Sequence, residues 1–176
     1  REEERKALYN EYSLKQGEVM TGIVQRYVNN NVSVNLGRAD AMLNEKEMIR
    51  TKVTDDYGRE VLQTETFVPT QRIKVYVVDV KENTRGPRIM LSRTHPELVK
   101  RLFEMEVPEI VTGQVVIKAI ARVPGIRSKV AVASNNPDID ATGACIGQGG
   151  SRIQKIVSQL GNGKNKEKID VINRSE

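Results

Sequence analysis

Gly147-Gln148-Gly149-Gly150 is the stretch of this chain whose residue types and spacing are suited to chemistry. A glycine has no Cβ, so a backbone rich in it can lie close to a ligand. The residues that follow include Ile153, Ile156, Val157 and Leu160, spaced i, i+3, i+4 and i+7, which predicts a helix with one apolar face. The first N–H groups of a helix have no partners within it. A glycine turn feeding such a helix therefore suits an anion, usually a phosphate. Arg152 and Lys155 lie in or near the first turn. A cation there opposes the helix dipole, and a bound phosphate reverses that penalty. The plainer alternative is that the glycines only join two helices and both cations are solvated.

The surrounding elements follow from periodicity. Arg1 to Leu14 is charged and predicts a short helix or linker, poorly held by the rest of the chain. From Gly17 the pattern becomes that of strands: Val19–Val28 with a bend or bulge at Gly22, Val32–Leu36, Ala39–Leu43, Arg72–Lys81 and Arg88–Leu91. Five short strands separated by turns predict a small antiparallel barrel. The polar segment between Asn44 and Gln71 has room for a hairpin of its own, Val53–Tyr57 and Val61–Phe67 around Gly58. Thr94-His-Pro-Glu97 has the form of a capping box, with Thr94 as the cap. The helix it opens carries Leu98, Val99, Leu102 and Phe103 and ends before Pro108. Strands Gly113–Ala121 and Lys129–Ala133, a short helix Ile139–Ile146, the glycine turn, the long helix and a strand Lys168–Ile172 complete an α-β-β-α-turn-α-β order. The expected domains are a linker or helix over 1–16, a barrel over 17–93 and an α+β domain over 94–176.

Composition narrows the function. The chain has 176 residues, net charge +5 and a pI near 9.3, which favours an anionic partner without requiring one. Aromatic residues make up 4% and there is no Trp, which argues against binding built mainly on base stacking. Cys145 is the single cysteine, so no internal disulfide can form and a reducing, cytoplasmic compartment fits. With one cysteine and one histidine, His95, a zinc set is not credible. His95 suits helix capping or packing. No metal or other cofactor is expected. No nucleophile–base–orienter pattern appears, and Asp55-Asp56 and Asp138/Asp140 read as turn residues, so no catalysis is expected. No apolar run reaches the length of a bilayer span. The first residue is Arg1, which predicts a piece of a longer protein.

Ile146-Gly-Gln-Gly-Gly150 between two helices resembles the G-x-x-G loop of KH domains of the type II arrangement. That loop clamps the backbone of about four unpaired nucleotides. Gly17 to Ser92 resembles an OB-fold barrel of the ribosomal-protein S-one type. Gly86-Pro-Arg-Ile-Met-Leu-Ser-Arg-Thr-His-Pro-Glu97, Phe103–Ile110, Lys129–Ala133 and Gly143–Gly147, in this order, resemble the NusA family of bacterial transcription factors. The resemblance implies a non-catalytic, monomeric RNA-binding region. It further implies association with RNA polymerase, with other antitermination factors or with ribosomal proteins, and a role in pausing, termination and antitermination. In such a region single-stranded RNA tracks from the barrel onto the KH groove. The competing reading is an RNA-binding appendage of a ribonuclease such as a polynucleotide phosphorylase. There, however, KH precedes the barrel. A dinucleotide-binding enzyme needs a strand directly before the glycines, where this chain predicts a helix.

On this reading Gly147, Gln148, Gly149 and Gly150 approach the RNA backbone. Arg152 and Lys155 contact phosphate, although Lys155 is as readily a solvated residue. Ile146 and Ile153 form an apolar floor for bases or belong to the core. Lys168, Asp170 and Ile172 lie on the strand flanking the groove; Asp170 accepts from a base edge or faces solvent. On the barrel the candidates are Arg26, Tyr27 and Arg38, with Tyr27 able to stack on a base. Cys145, between Ala144 and Ile146, reads as buried and structural. Three features depart from the family. Gln148 and Gly149 stand where a basic residue is common, the segment 50–71 is long, and 161–168 is long and basic. The last reads as a loop more readily than as a set of phosphate contacts.

Overall fold

The computed structural model describes residues 1–161 and 166–174. It divides into two compact units: Arg1–Met48 with Thr66–Leu98, and Ile49–Glu65 with the described residues from Val99 on.

In the first unit five strands close a barrel in the order β1-β2-β3-β7-β6. They are β1 (Val19–Val28), β2 (Asn31–Asn35), β3 (Asp40–Leu43), β6 (Arg72–Asn83) and β7 (Gly86–Ser92). These are the five strands that the alternation predicts. Their inward side chains, among them Val24, Val32, Val34, Leu43, Val75 and Val77, form the core. In β6 the alternation breaks after Val78. Val78 still faces out in turn after Val77, but a bulge between Val77 and Asp79 then shifts the phase, so that Val80 rather than Asp79 enters the core. In β1 the bulge falls between Val24 and Arg26, not at Gly22. Gly22 serves close packing instead, because a Cβ there would stand 2.3 Å from Val34 Cγ1.

Helix α1 (Glu2–Ser13) is anchored on this barrel, where its charge predicts a poorly held segment. Tyr12 belongs to the barrel core, and Leu8 and Tyr9 pack against it. The Tyr12 hydroxyl donates to the Leu36 carbonyl at 2.9 Å and accepts from the Arg38 N–H at 2.9 Å. One buried tyrosine thus fixes a helix whose other positions are mostly solvated.

Helix α2 (Pro96–Glu106) buries the predicted stripe Leu98, Val99, Leu102 and Phe103. Its cap is His95 rather than Thr94: Nδ1 of His95 accepts from the Glu97 N–H at 3.0 Å. The Thr94 hydroxyl turns instead toward Glu47. The His95 ring stacks on Tyr76, with centroids 4.6 Å apart.

The second unit is built on a three-stranded sheet, β10-β9-β8. Strands β8 (Val115–Val123) and β9 (Arg127–Ser134) are antiparallel, and β10 (Lys168–Asn173) runs parallel to β9. The short helix α3 (Pro108–Val111) precedes β8, where the sequence pattern predicts only the end of a helix before Pro108. Helices α4 (Ala141–Ile146) and α5 (Ser151–Ser158) both pack on β10. The hairpin β4 (Arg50–Thr54) and β5 (Glu60–Thr64) belongs to this unit. A hairpin was expected in this segment; its strands start and end a few residues earlier than expected.

A buried ion pair secures this unit. Glu167 accepts two bonds from Arg122, at 3.0 Å each, and neither side chain has measurable exposure. The same carboxylate accepts from the Gly125 N–H at 2.8 Å and the Ser128 hydroxyl at 2.6 Å. Four donors on one carboxylate tie the β8–β9 turn to the start of β10.

Candidate nucleic-acid interface

The glycine turn joins α4 to α5. Gly147, Gly149 and Gly150 all have positive φ, at 79°, 64° and 78°. Gly147 ends α4, its N–H bonded to the Gly143 carbonyl, and Gly150 starts α5 from the left-handed region. Three such angles in four residues explain the glycines, since other residues adopt this region at a cost.

The glycines are not equivalent. A Cβ on Gly147 would stand 2.9 Å from the Arg152 backbone nitrogen, so the position is filled by α5 itself. Nothing lies within 4 Å of a Cβ on Gly149. Gln148 and Gly149 are exposed. The open approach to the turn is therefore over Gln148 and Gly149.

Arg152 does not extend freely toward this approach. Its Nη1 donates to Glu109 Oε1 at 2.9 Å and to the Ala144 carbonyl at 2.8 Å. It braces the turn from behind, linking α3, α4 and α5. Lys155 is exposed on α5. Ile146 is 38% exposed and Ile153 half-buried, while Ile156 on α5 and Leu160 just past its end are fully buried. The two partly open isoleucines flank the turn, one on each helix.

Strand β10 forms the edge of the sheet against which α4 and α5 pack. Lys168 is exposed at its start. Asp170 is bonded by Arg127 Nε at 2.8 Å across the parallel pair β9–β10. Ile172 is 47% exposed. Of the segment 161–168, residues 162–165 lie outside the described residues.

On the barrel, Arg26 and Tyr27 are exposed near the β1–β2 turn, where Tyr27 pairs with Val32. The Tyr27 hydroxyl accepts from the Phe67 N–H at 2.9 Å, which holds the ring at the surface. Arg38 lies beyond the other end of that ladder, where Ile23 pairs with Asn35. Its guanidinium reaches Glu11 of α1 at 2.6 Å. Arg38 thus braces α1 and does not share a patch with Arg26 and Tyr27.

A barrel face escaped the sequence reading. A pocket of about 630 Å³ is lined by Met42, Val78, Arg85, Arg88 and Met90, among others. Met42 and Met90 are cross-strand partners, each 38% exposed. The signal was available: both follow and precede inward residues, so both point out. Apolar surface beside two arginines suits a nucleobase and its phosphate.

Two family models divide the chain between them. Residues 13–92 match the S1 RNA binding domain, and residues 93–174 match the NusA-like first KH domain. The chain is an S1 domain followed by a NusA-like first KH domain. The transcription termination/antitermination protein NusA of Thermus thermophilus is 47% identical over 173 residues, which cover 98% of this chain and 40% of that protein. The protein of the same name from Bacillus subtilis is 43% identical, covering 99% of this chain and 43% of its own length. That of Mycobacterium bovis is 39% identical, covering 98% and 47%. The chain spans less than half the length of these curated relatives.

Within the KH domain, Cys145, near the end of α4, is fully buried. Burial, and secondarily the nearby Glu109 carboxylate, pushes its thiol up to about 11, against the partial opposing effect of Arg152. The thiol is therefore neutral at physiological pH, in keeping with a structural role. Iodoacetamide at pH 8 is expected to leave the native protein unmodified and to label it rapidly in urea; equal rates would refute this. The shift also has a sign for stability. It is without effect below pH 9, where both states keep the proton. As pH rises from 9 toward 11 the unfolded thiol ionises first, so stability falls. The fall should shrink in Cys145→Ala, compared by chemical denaturation at both pH values.

Proposed function

We propose that this chain is the RNA-binding region of a NusA-type transcription factor that associates with RNA polymerase. It modulates pausing, termination and antitermination by binding single-stranded RNA through its S1 barrel and its KH domain. The observation that carries this reading is the turn between α4 and α5. Its three glycines of positive φ leave the backbone open over Gln148 and Gly149, within a domain that matches the NusA-like first KH domain.

In mechanism, the sugar-phosphate backbone passes over Gln148 and Gly149, close to the first N–H groups of α5. Lys155 adds charge from α5. Bases rest on Ile146 and Ile153 and reach β10, where Lys168 and Asp170 stand. The groove needs splayed bases, so pairing in the RNA opposes binding. On the barrel, Arg26 supplies charge and Tyr27 a stacking ring. Arg152 has a positioning role, through Glu109 and Ala144. Binding is reversible and non-catalytic, and the region acts as a cytoplasmic monomer. The ribonuclease-appendage alternative is set aside: the relatives that align with nearly the whole chain carry the NusA name.

The test is titration of the chain with a labelled unstructured RNA and its DNA counterpart at about 50 and 200 mM salt. RNA should bind more tightly, because the 2′-hydroxyl marks it. If about four phosphates are held, log K falls against log salt with a slope of about −3. Salt-independent binding, or equal affinity for DNA, would count against the reading.

A further inference from the structure

We propose that the β4–β5 hairpin completes a second phosphate-binding site in the KH unit, at the start of β10, which extends the path of a bound RNA strand. The inference rests on the RNA-binding reading above and adds to it a site outside the glycine turn.

A pocket of about 620 Å³ lies between the hairpin and the β8–β9 turn. Lys52 lines it from β4, Arg127 from the start of β9, and Lys166 and Lys168 from the approach to β10. Against these four cations the lining holds one carboxylate, Glu60. Arg127 also pairs with Asp170. Counting both acids, the site keeps an excess of two positive charges. The Lys52–Glu60 pair, at 3.6 Å, and the Arg127–Asp170 pair are largely exposed. Exposed pairs of this kind are weak, so the cations can turn to a phosphate at little cost.

The pocket rests on a rigid base. Glu167 lies between two exposed lysines, yet is itself buried and bonded by Arg122, Gly125 and Ser128. The Lys168 N–H is held by the Ile126 carbonyl at 3.0 Å. Both lysines therefore leave a fixed backbone on the outer side. Gly125 lets the hairpin come close: it has φ +78°, and a Cβ there would stand 2.0 Å from the Arg50 carbonyl oxygen. The hairpin backbone thus seats directly on the β8–β9 turn, which brings Lys52 to the pocket. Exposed cations rising from a held backbone around an open polar hollow suit a phosphodiester better than an apolar or cationic ligand.

Position decides which phosphodiester. The pocket sits at the first residues of β10, the strand that flanks the proposed groove. A KH groove holds about four nucleotides. A longer strand laid along β10 runs past its start and meets this site. Short RNA does not.

The test uses the full chain, the double variant Lys52→Gln/Lys166→Gln and the charge-keeping Lys52→Arg/Lys166→Arg. Neither position lies in the glycine turn or on its helices. Each protein is titrated with an unstructured tetranucleotide and a dodecanucleotide RNA. The glutamine variant should bind the dodecamer about tenfold more weakly. Its salt slope should shrink by about 1.4, as expected for two lost phosphate contacts. Tetranucleotide affinity should stay unchanged, and the arginine variant should match the parent with both RNAs. Unchanged dodecamer binding and slope in the glutamine variant would overturn the site. An equal loss with both RNAs would do so too, since it would mean a general effect of charge or folding. If the parent protein binds neither RNA, the underlying reading fails, and this site falls with it.

Discussion

A Gly149→Asp variant binds unstructured RNA at least about tenfold more weakly than the parent, while its unfolding midpoint hardly moves. The two halves of this expectation have separate causes. Gly149 is at φ 64°, ψ 18°, in the left-handed region where Asp and Asn are tolerated better than most residues. No atom lies within 4 Å of its Cβ position, so the side chain meets open space. The fold therefore accepts it. A phosphate over the same turn meets a carboxylate instead of bare backbone. Two like charges about 4 Å apart repel by about 1 kcal/mol in water and about 4 kcal/mol near a protein surface. Each 1.4 kcal/mol is about tenfold in affinity. Gly149→Asn separates charge from bulk and should retain most of the binding. Gly147→Asp is the poorer probe, because its Cβ would press on the backbone of Arg152 and disturb α5 itself. Anisotropy titration together with urea unfolding reads both quantities. Full RNA affinity in Gly149→Asp would remove the turn from the interface.

The largest loss of stability is expected from Glu167→Ala, about 3–5 kcal/mol, the range for removing one partner of a buried ion pair. The Arg122 guanidinium then stays buried without its carboxylate, and the Gly125 N–H and Ser128 hydroxyl lose their acceptor. An unsatisfied buried donor adds about 1–3 kcal/mol of its own, so the upper part of the range applies. Glu167→Gln keeps the shape and part of the hydrogen bonding, and should fall between the parent and Glu167→Ala. Urea unfolding followed by circular dichroism reads the series. A loss below about 1 kcal/mol in Glu167→Ala, the value of an exposed pair, would mean that the site is open to water.

Much of the architecture was legible in the residue pattern. The five barrel strands, the α2 stripe, the α-β-β-α-α-β order and the glycine turn follow from periods of 2 and 3.6 and from turn residues. Such signals are local, and each element here carries one. The capping box differs partly for a non-local reason: Thr94 and His95 can both cap, and Glu47, 47 positions away, draws the Thr94 hydroxyl off. The hold on helix α1 is non-local too. Its sequence is polar, and its one buried side chain, Tyr12, reaches a carbonyl 24 positions on, while Leu8, Tyr9 and Glu11 add contacts to the barrel.

By itself, then, the sequence determined which segments are strands and helices, and that a glycine turn introduces α5. These depend on neighbours along the chain, where side-chain spacing is fixed. It also carried the family resemblance, through an ordered set of short motifs. Only the tertiary structure decided which glycine is open and which is filled, since that depends on where α5 turns back on the loop. It decided that Arg152 braces the turn through Glu109, and that Arg38 serves α1. It gave Glu167, one acid in a basic run, four donors and full burial. It grouped the β4–β5 hairpin with the KH unit rather than with the barrel that surrounds it in sequence. Most of these rest on partners tens of residues apart, and a side chain's pattern shows the face it lies on, not the group it meets there.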